Sequence, residues 1–298
     1  MYNPPDAAAP GTSRPRDAGF PLLEVRDLGK KYNSSRESIV AIESVSVNLA
    51  QGEFLSIVGP SGCGKSTLLK IIAGLSTATS GSIRLNGSEI VGPGPDRGFV
   101  FQGDALLPWR TIRQNVALGL EISGRDREAA RVRTDEMLEL VGLGEFGDRF
   151  PVELSGGMRQ RANLARGLAL DPPVLLMDEP FAALDAQTRE IMQSELLKIW
   201  RQNKKSVIFI THQIDEAVFL SDRIVLMSAR PGRIIGDFVV PIERPRSSAV
   251  RFSDEFRELN REIWEQLRDE VTRANDQSKV ATVKGSQSTR RGQRTRRR

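Results

Sequence analysis

The sequence predicts an α/β fold: a mostly parallel sheet covered by helices on both faces, with a helical segment inserted. Three observations predict it. Short apolar runs (Phe54–Val58, Val174–Met177, Val207–Ile210 and Ile224–Met227) alternate with helical stretches, the rhythm that βα units produce. A glycine-rich loop follows the first of these runs and opens a helix. Residues 104–165 then break the rhythm: they are charged and amphipathic, with periodic apolar positions such as Val132, Met137, Leu138 and Val141.

Taken in order, an extended piece over Leu22–Asp27 opens the fold. Asn48–Gly52 reads as a turn into the short, mainly apolar run 54–58, which suits a buried strand covered on both faces. An apolar helix is expected over 65–73, and Asn86-Gly87 is a turn signal between two short strands. After the helical block come strand 174–177, helix 187–201, strand 207–210, helix 213–220, strand 224–227 and an extended stretch over 233–240. Beyond Pro245, Phe252, Phe256, Leu259, Ile263, Leu267 and Val271 recur at helical spacing, which predicts an amphipathic helix over 253–272 docked on the body.

Composition narrows the function classes. A chain of 298 residues, 39% of them hydrophobic, can bury a large core. No apolar run approaches the roughly 18–20 residues that span a bilayer. Residues 1–20 are rich in Pro, Ala and Gly without an apolar signal core, and read as a flexible arm. The lone Cys63 excludes an internal disulfide framework. The net charge of +5 is misleading: residues 284–298 carry Lys284, Arg290, Arg291, Arg294, Arg296, Arg297 and Arg298 and no acid, so the rest of the chain is slightly acidic. Residues 274–298 therefore read as a solvated basic tail, with weak attraction to anionic lipid or RNA as the alternative, and the body lacks the footprint of a nucleic-acid binder.

Three motifs carry chemistry. Gly59-Pro60-Ser61-Gly62-Cys63-Gly64-Lys65-Ser66-Thr67 fits G-x-x-x-x-G-K-[ST] between a strand and a helix. Glycines let successive N–H groups turn toward phosphate oxygens, Lys65 would reach the β- and γ-phosphates, and the Ser66 hydroxyl would ligate Mg²⁺. Cys63, with no second cysteine to resolve it, reads as a small filler of that loop. The strand 174–177 ends in Asp178 and Glu179, placed to hold the Mg²⁺ shell and to polarise an attacking water. His212, the single histidine, follows another apolar strand at the sheet edge where such folds bind ligands. A further segment, Leu154-Ser155-Gly156-Gly157-Met158-Arg159-Gln160, opens a helix with a serine and two glycines and reads as a second anion site.

With these motifs in this order, residues 22–242 resemble the ATP-binding subunit of an ABC transporter. The resemblance implies a P-loop NTPase (RecA-like) core with an antiparallel β subdomain and an inserted α-helical subdomain, within an ATP-binding domain over 21–245. It implies that Tyr32 stacks on adenine, that Gln102 touches Mg²⁺ and the attacking water, that Glu179 is the catalytic base, and that His212 is the switch histidine. It also implies that Leu154–Gln160 are the family signature and that Asp185, in Ala183-Leu184-Asp185, belongs to the loop that speaks across a dimer. Two copies would pair head to tail, Ser155 and Gly157 of one capping the γ-phosphate held by Lys65 of the other. No motif residue of the family is missing.

Residues 93–102, with Leu106-Leu107-Pro108-Trp109, are similar to the nitrate, sulfonate and taurine importer branch. That likeness implies integral-membrane permease partners, indirectly a solute-binding protein, and a place on the cytoplasmic face of the cell membrane. A soluble ABC-type ATPase acting on nucleic acid or ribosomes is the competing reading. It is weakened by the single phosphate loop, the lack of a long coiled-coil insertion and the non-basic body. A small-molecule kinase would leave the signature segment unexplained.

Overall fold

The computed structural model describes residues 21–33, 38–103, 105–203 and 205–294, with side chains for all of these except 202, 203 and 275–294. The expected arm over 1–20 lies outside the described residues, as do residues 295–298 of the expected tail.

The parallel core is built from β3 (Phe54–Val58), β6 (Arg97–Val100), β7 (Val174–Asp178), β8 (Ser206–Thr211) and β9 (Arg223–Met227). They lie in the order β9-β3-β8-β7-β6, all parallel. Every residue of β3, β7 and β8 is buried. The alternation of β3 shows why: Phe54 and Val58 enter one apolar cluster, and Leu55 and Ile57 enter the other. With both faces covered, even the polar Ser56 is buried, so no exposed position marks the strand's period.

The other half of the ten-stranded sheet is mainly antiparallel. It comprises β1 (Leu23–Asn33), β2 (Ser38–Leu49), β4 (Ser80–Leu85), β5 (Ser88–Glu89) and β10 (Gly232–Val239), in the order β5-β4-β1-β2-β10. β10 joins the halves, antiparallel to β9 and parallel to β2. Asn86–Gly87 forms the two-residue turn between β4 and β5, as the sequence predicts.

Helix α1 (Lys65–Ile72) packs on one face, with Leu68, Leu69 and Ile72 against Leu55, Ile57, Leu176 and Ile208. The opposite face carries the inserted helices α2 (Ile112–Ile122), α3 (Arg127–Leu140) and α4 (Gly156–Ala169), with α5 (Ala186–Asn203) and α6 (Ile214–Leu220). Each inserted helix is capped as its sequence demands: Thr111 and Gln114 form a reciprocal capping box on α2, and Asp126 accepts from two N–H groups of α3. In α3, Met137 and Leu138 are buried as expected, and so is Val141 just beyond it. Val132 is exposed instead, because Ala130 and Thr134 hold the inward face one turn earlier.

The last helix, α7 (Asp254–Arg294), is longer than the sequence suggests. Phe256, Leu259, Ile263 and Leu267 are buried against the body, whereas Phe252 precedes the helix and is exposed. The backbone stays helical beyond 272, through a segment expected as an irregular tail. That segment has no proline, and Arg, Gln and Lys, which tolerate a helix, are prominent in it.

Candidate active site

The registers of β3, β7 and β8 align their carboxyl ends, with Val58 beside Thr211 and Asp178 beside Ile210. The phosphate-type loop leaves β3 there, the two acids leave β7, and His212 leaves β8. Side chains far apart in sequence thus meet at one sheet edge, where open α/β sheets take their ligands.

The loop folds through left-handed backbone. Gly64 caps α1 at φ 106°, and a Cβ there would stand 2.9 Å from the Ala41 carbonyl oxygen and 3.1 Å from Ile42, so only glycine fits. Lys65 is buried and donates from Nζ to the carbonyls of Gly59 at 2.7 Å and Pro60 at 3.0 Å. Cys63 is buried. Burial pushes its thiol above the ordinary value, with Lys65 opposing, so the group stays a thiol.

Ser66 Oγ donates to Asp178 Oδ1 at 2.9 Å. Burial raises the Asp178 carboxyl above its ordinary value, and the Ser66 hydrogen bond works against that rise. These two hard oxygens suit Mg²⁺, which draws its remaining ligands from phosphate and water. Glu179 sits at φ 45°, a conformation that costs a non-glycine residue about 1–3 kcal/mol. Its N–H is held by the Ile210 carbonyl at 3.0 Å. Its Oε2 accepts from Gln102 Nε2 at 3.3 Å and lies 3.1 Å from His212 Nδ1.

A cleft of about 410 Å³ runs over these groups, lined by Tyr32, Ser61, Gly62, Gly64, Lys65, Ser66, Thr67, Gln102 and Glu179. Tyr32 is half exposed at its rim, with its hydroxyl 3.5 Å from Thr67 Oγ1. A flat exposed ring next to a row of backbone donors can stack on a base whose phosphates fill the loop.

The segment Leu154–Gln160 is placed elsewhere: none of it lines that cleft. Leu154 and Gln160 are buried, Ser155 and Gly156 are exposed, and Gly157, Met158 and Arg159 lie between. Ser155 caps α4, its Oγ accepting from Met158 N–H at 3.3 Å, and Arg159 donates to the Leu154 carbonyl at 2.6 Å. Asp185 is likewise absent from the cleft's lining. Its carboxylate accepts from the Thr188 N–H at 2.9 Å and the Thr188 hydroxyl at 2.7 Å, bonds that hold it below the usual carboxylate value.

Several partners in this arrangement carry no motif signal. Asn163 on α4 donates to the carbonyls of Phe101 at 2.8 Å and Gly103 at 3.0 Å, and Gln160 reaches Phe101 at 3.4 Å. The helix opened by Ser155 thus holds the loop bearing Gln102. Buried Asn115 accepts from the Leu107 N–H at 2.7 Å and donates to three carbonyls in 107–111, shaping the loop on which Trp109 stands exposed. Arg230 lines the cleft as well.

Comparisons with known proteins agree with this geometry. The family profile described as "ABC transporter" matches residues 42–182. The chain is 44% identical to the nitrate import ATP-binding protein NrtD of Synechocystis, over 84% of this chain and 96% of that protein. It is 48% identical to the taurine import ATP-binding protein TauB of Rhizobium johnstonii, over 76% of this chain and 88% of that one. Among solved structures, a dimeric post-hydrolysis state of the ATP-binding cassette MJ0796 bound to ADP and Pi superposes with a TM-score of 0.68 at 34% identity, covering 74% of this chain and all of that one. On its sheet topology, its cleft and these relatives, the chain belongs to the ABC transporter family as an ATP-binding, ATP-hydrolysing subunit.

Proposed function

We propose that this subunit energises import of a small solute of the nitrate, sulfonate or taurine kind. The convergence of Gln102 and His212 on one oxygen of Glu179, beside Lys65 and Ser66, carries the hydrolytic half of this reading. Tyr32 stacks on the base, and loop N–H groups with Lys65 hold the phosphates. Glu179 takes a proton from the attacking water, with Gln102 and His212 fixing its carboxylate. Ser66, Asp178 and Gln102 would hold Mg²⁺, which would neutralise phosphate charge when bound.

Ser155 and Gly157 then serve a second copy of the chain. The exposure of Ser155, the partial exposure of Gly157 and the absence of both from the cleft's lining support a site completed between subunits, and the MJ0796 cassette is dimeric. The exposed Trp109 next to the Gln102 loop supports docking of a permease there. Such a permease would set the subunit on the cytoplasmic face of the membrane, with a solute-binding protein acting indirectly and no nucleic-acid partner. The solute class rests on the named relatives NrtD and TauB. The test is co-expression with a permease of this importer class. The two should purify together, and ATP turnover should rise with the permease and its loaded binding protein. Stimulation by DNA or RNA instead would refute the reading.

A further inference from the structure

Arg230 stands in the turn between β9 and β10, and its Nε and Nη2 both donate to one oxygen, the Gly62 carbonyl, at 3.3 and 3.2 Å. Gly62 lies mid-loop at φ 75°. In a trans peptide the carbonyl and the following N–H point in opposite directions. Gripping the Gly62 oxygen therefore fixes the other end of that peptide: the Cys63 N–H turns into the loop, where it meets the Pro60 carbonyl at 3.4 Å. Because Arg230 also lines the cleft with Ser61 and Lys65, its charge stands where the phosphates of a nucleotide would lie.

This turn is anchored from behind by α7. Glu270, nearly buried at 8% exposure, accepts from the Ala229 N–H at 2.8 Å, and Arg273 donates to its other oxygen at 2.7 Å. A largely desolvated carboxylate that accepts from a backbone N–H and from an arginine is a firm tether. The path Glu270–Ala229–Arg230–Gly62 is thus a continuous line of contacts from the last helix to the phosphate-type loop. On a second side, Leu267 and Val271 of α7 face Gly59, Pro60 and His212 across a hollow of about 310 Å³.

We propose that Arg230 is a further positioning residue for ATP, setting the orientation of the Gly62–Cys63 peptide, and that α7 governs its place through Glu270. The inference rests on the assignment of the cleft to ATP. The test uses the purified full chain, with ATP affinity by equilibrium titration, kcat and KM, and melting temperature without nucleotide.

Arg230→Gln should raise the ATP Kd about tenfold, the loss expected for charge-assisted hydrogen bonds. It should leave kcat at saturating ATP within about twofold and lower the nucleotide-free melting temperature by no more than a few degrees, the share of two exposed hydrogen bonds. Arg230→Lys should recover part of the loss, since it keeps the charge without the fork. Glu270→Ala should weaken ATP binding several-fold and add nothing in combination with Arg230→Gln. Glu270→Gln, which keeps an acceptor, should bind like the unaltered chain. An Arg230→Gln chain with ATP affinity within about twofold of the unaltered one overturns the role of Arg230. Losses that multiply in the double variant overturn the link through α7. An unaltered chain that fails to bind ATP overturns the assignment of the cleft instead.

Discussion

His212 Nδ1 stands 3.1 Å from Glu179 Oε2, so the sheet edge joins an imidazole from β8 to the carboxylate that ends β7. The same oxygen accepts from Gln102, and the backbone of Glu179 is held at φ 45° by Ile210. A strained residue whose side chain is fixed by two partners is built to aim one atom.

Glu179→Gln keeps the shape of that residue and removes its ability to take a proton. ATP binding should persist while turnover falls by about 10²–10⁴, the usual share of a general base. An ATP-dependent dimer should then accumulate, measurable by light scattering. Near-normal turnover in this variant would remove Glu179 as the base.

Ser155→Arg places a bulky cation at an exposed helix start outside the cleft. Loss of the cap should cost about 1 kcal/mol of stability. ATP affinity should stay within about twofold, since the change lies outside the cleft's lining, and hydrolysis should stop. A monomeric chain with this change that hydrolyses ATP normally would exclude a role across the dimer.

The parallel core and its motifs were legible because β3, β7 and β8 are buried on both faces and read as plain apolar runs ending in reactive side chains. β2 was not. Ala41 and Ile42 are buried in succession, and Glu43 and Ser44 are exposed in succession, so the alternation that marks a half-buried strand is broken. The irregular registers of β1 have the same effect, and only Leu22–Asp27 stood out there. Asn163 and Arg230 were invisible for another reason. Their carbonyl partners, Phe101 and Gly62, are far away in the chain, and a bond to a backbone oxygen leaves no trace in the partner's residue type.

Glu216 offers a pH test. It is buried on α6, accepting from Thr211 Oγ1 at 2.6 Å and Gln193 Nε2 at 3.1 Å, with Arg189 Nε 3.6 Å away. Burial raises its carboxyl above the ordinary value, opposed by the Thr211 bond and by Arg189. The native state therefore holds this proton more tightly than the unfolded chain does. The group's contribution is full below the unfolded value and is lost as pH rises through the native one. Glu216→Gln removes that ionisation and keeps an acceptor for Thr211. In urea unfolding across that range, the variant should gain stability relative to the unaltered chain as pH rises. A difference that stays constant with pH would show that Glu216 does not titrate there.

Gly74 and Gly87 form a matched pair for the last test. Both have similar positive φ, 75° and 78°. At Gly74, which follows α1, an added Cβ would lie 2.2 Å from the Gly92 carbonyl and 2.7 Å from the Pro93 nitrogen, all backbone that cannot step aside. At Gly87 an added Cβ would meet nothing within 4 Å. Gly87→Ala should therefore cost only the left-handed penalty, about 1–2 kcal/mol. Gly74→Ala carries that penalty and a backbone clash as well, for a total of about 3 kcal/mol or more. At roughly 2–4 °C per kcal/mol for a domain of this size, the melting temperature of Gly74→Ala should fall several degrees further than that of Gly87→Ala. Equal losses would mean that the backbone angle alone, and not the contact between the end of α1 and the Gly92–Pro93 segment, makes glycine necessary at position 74.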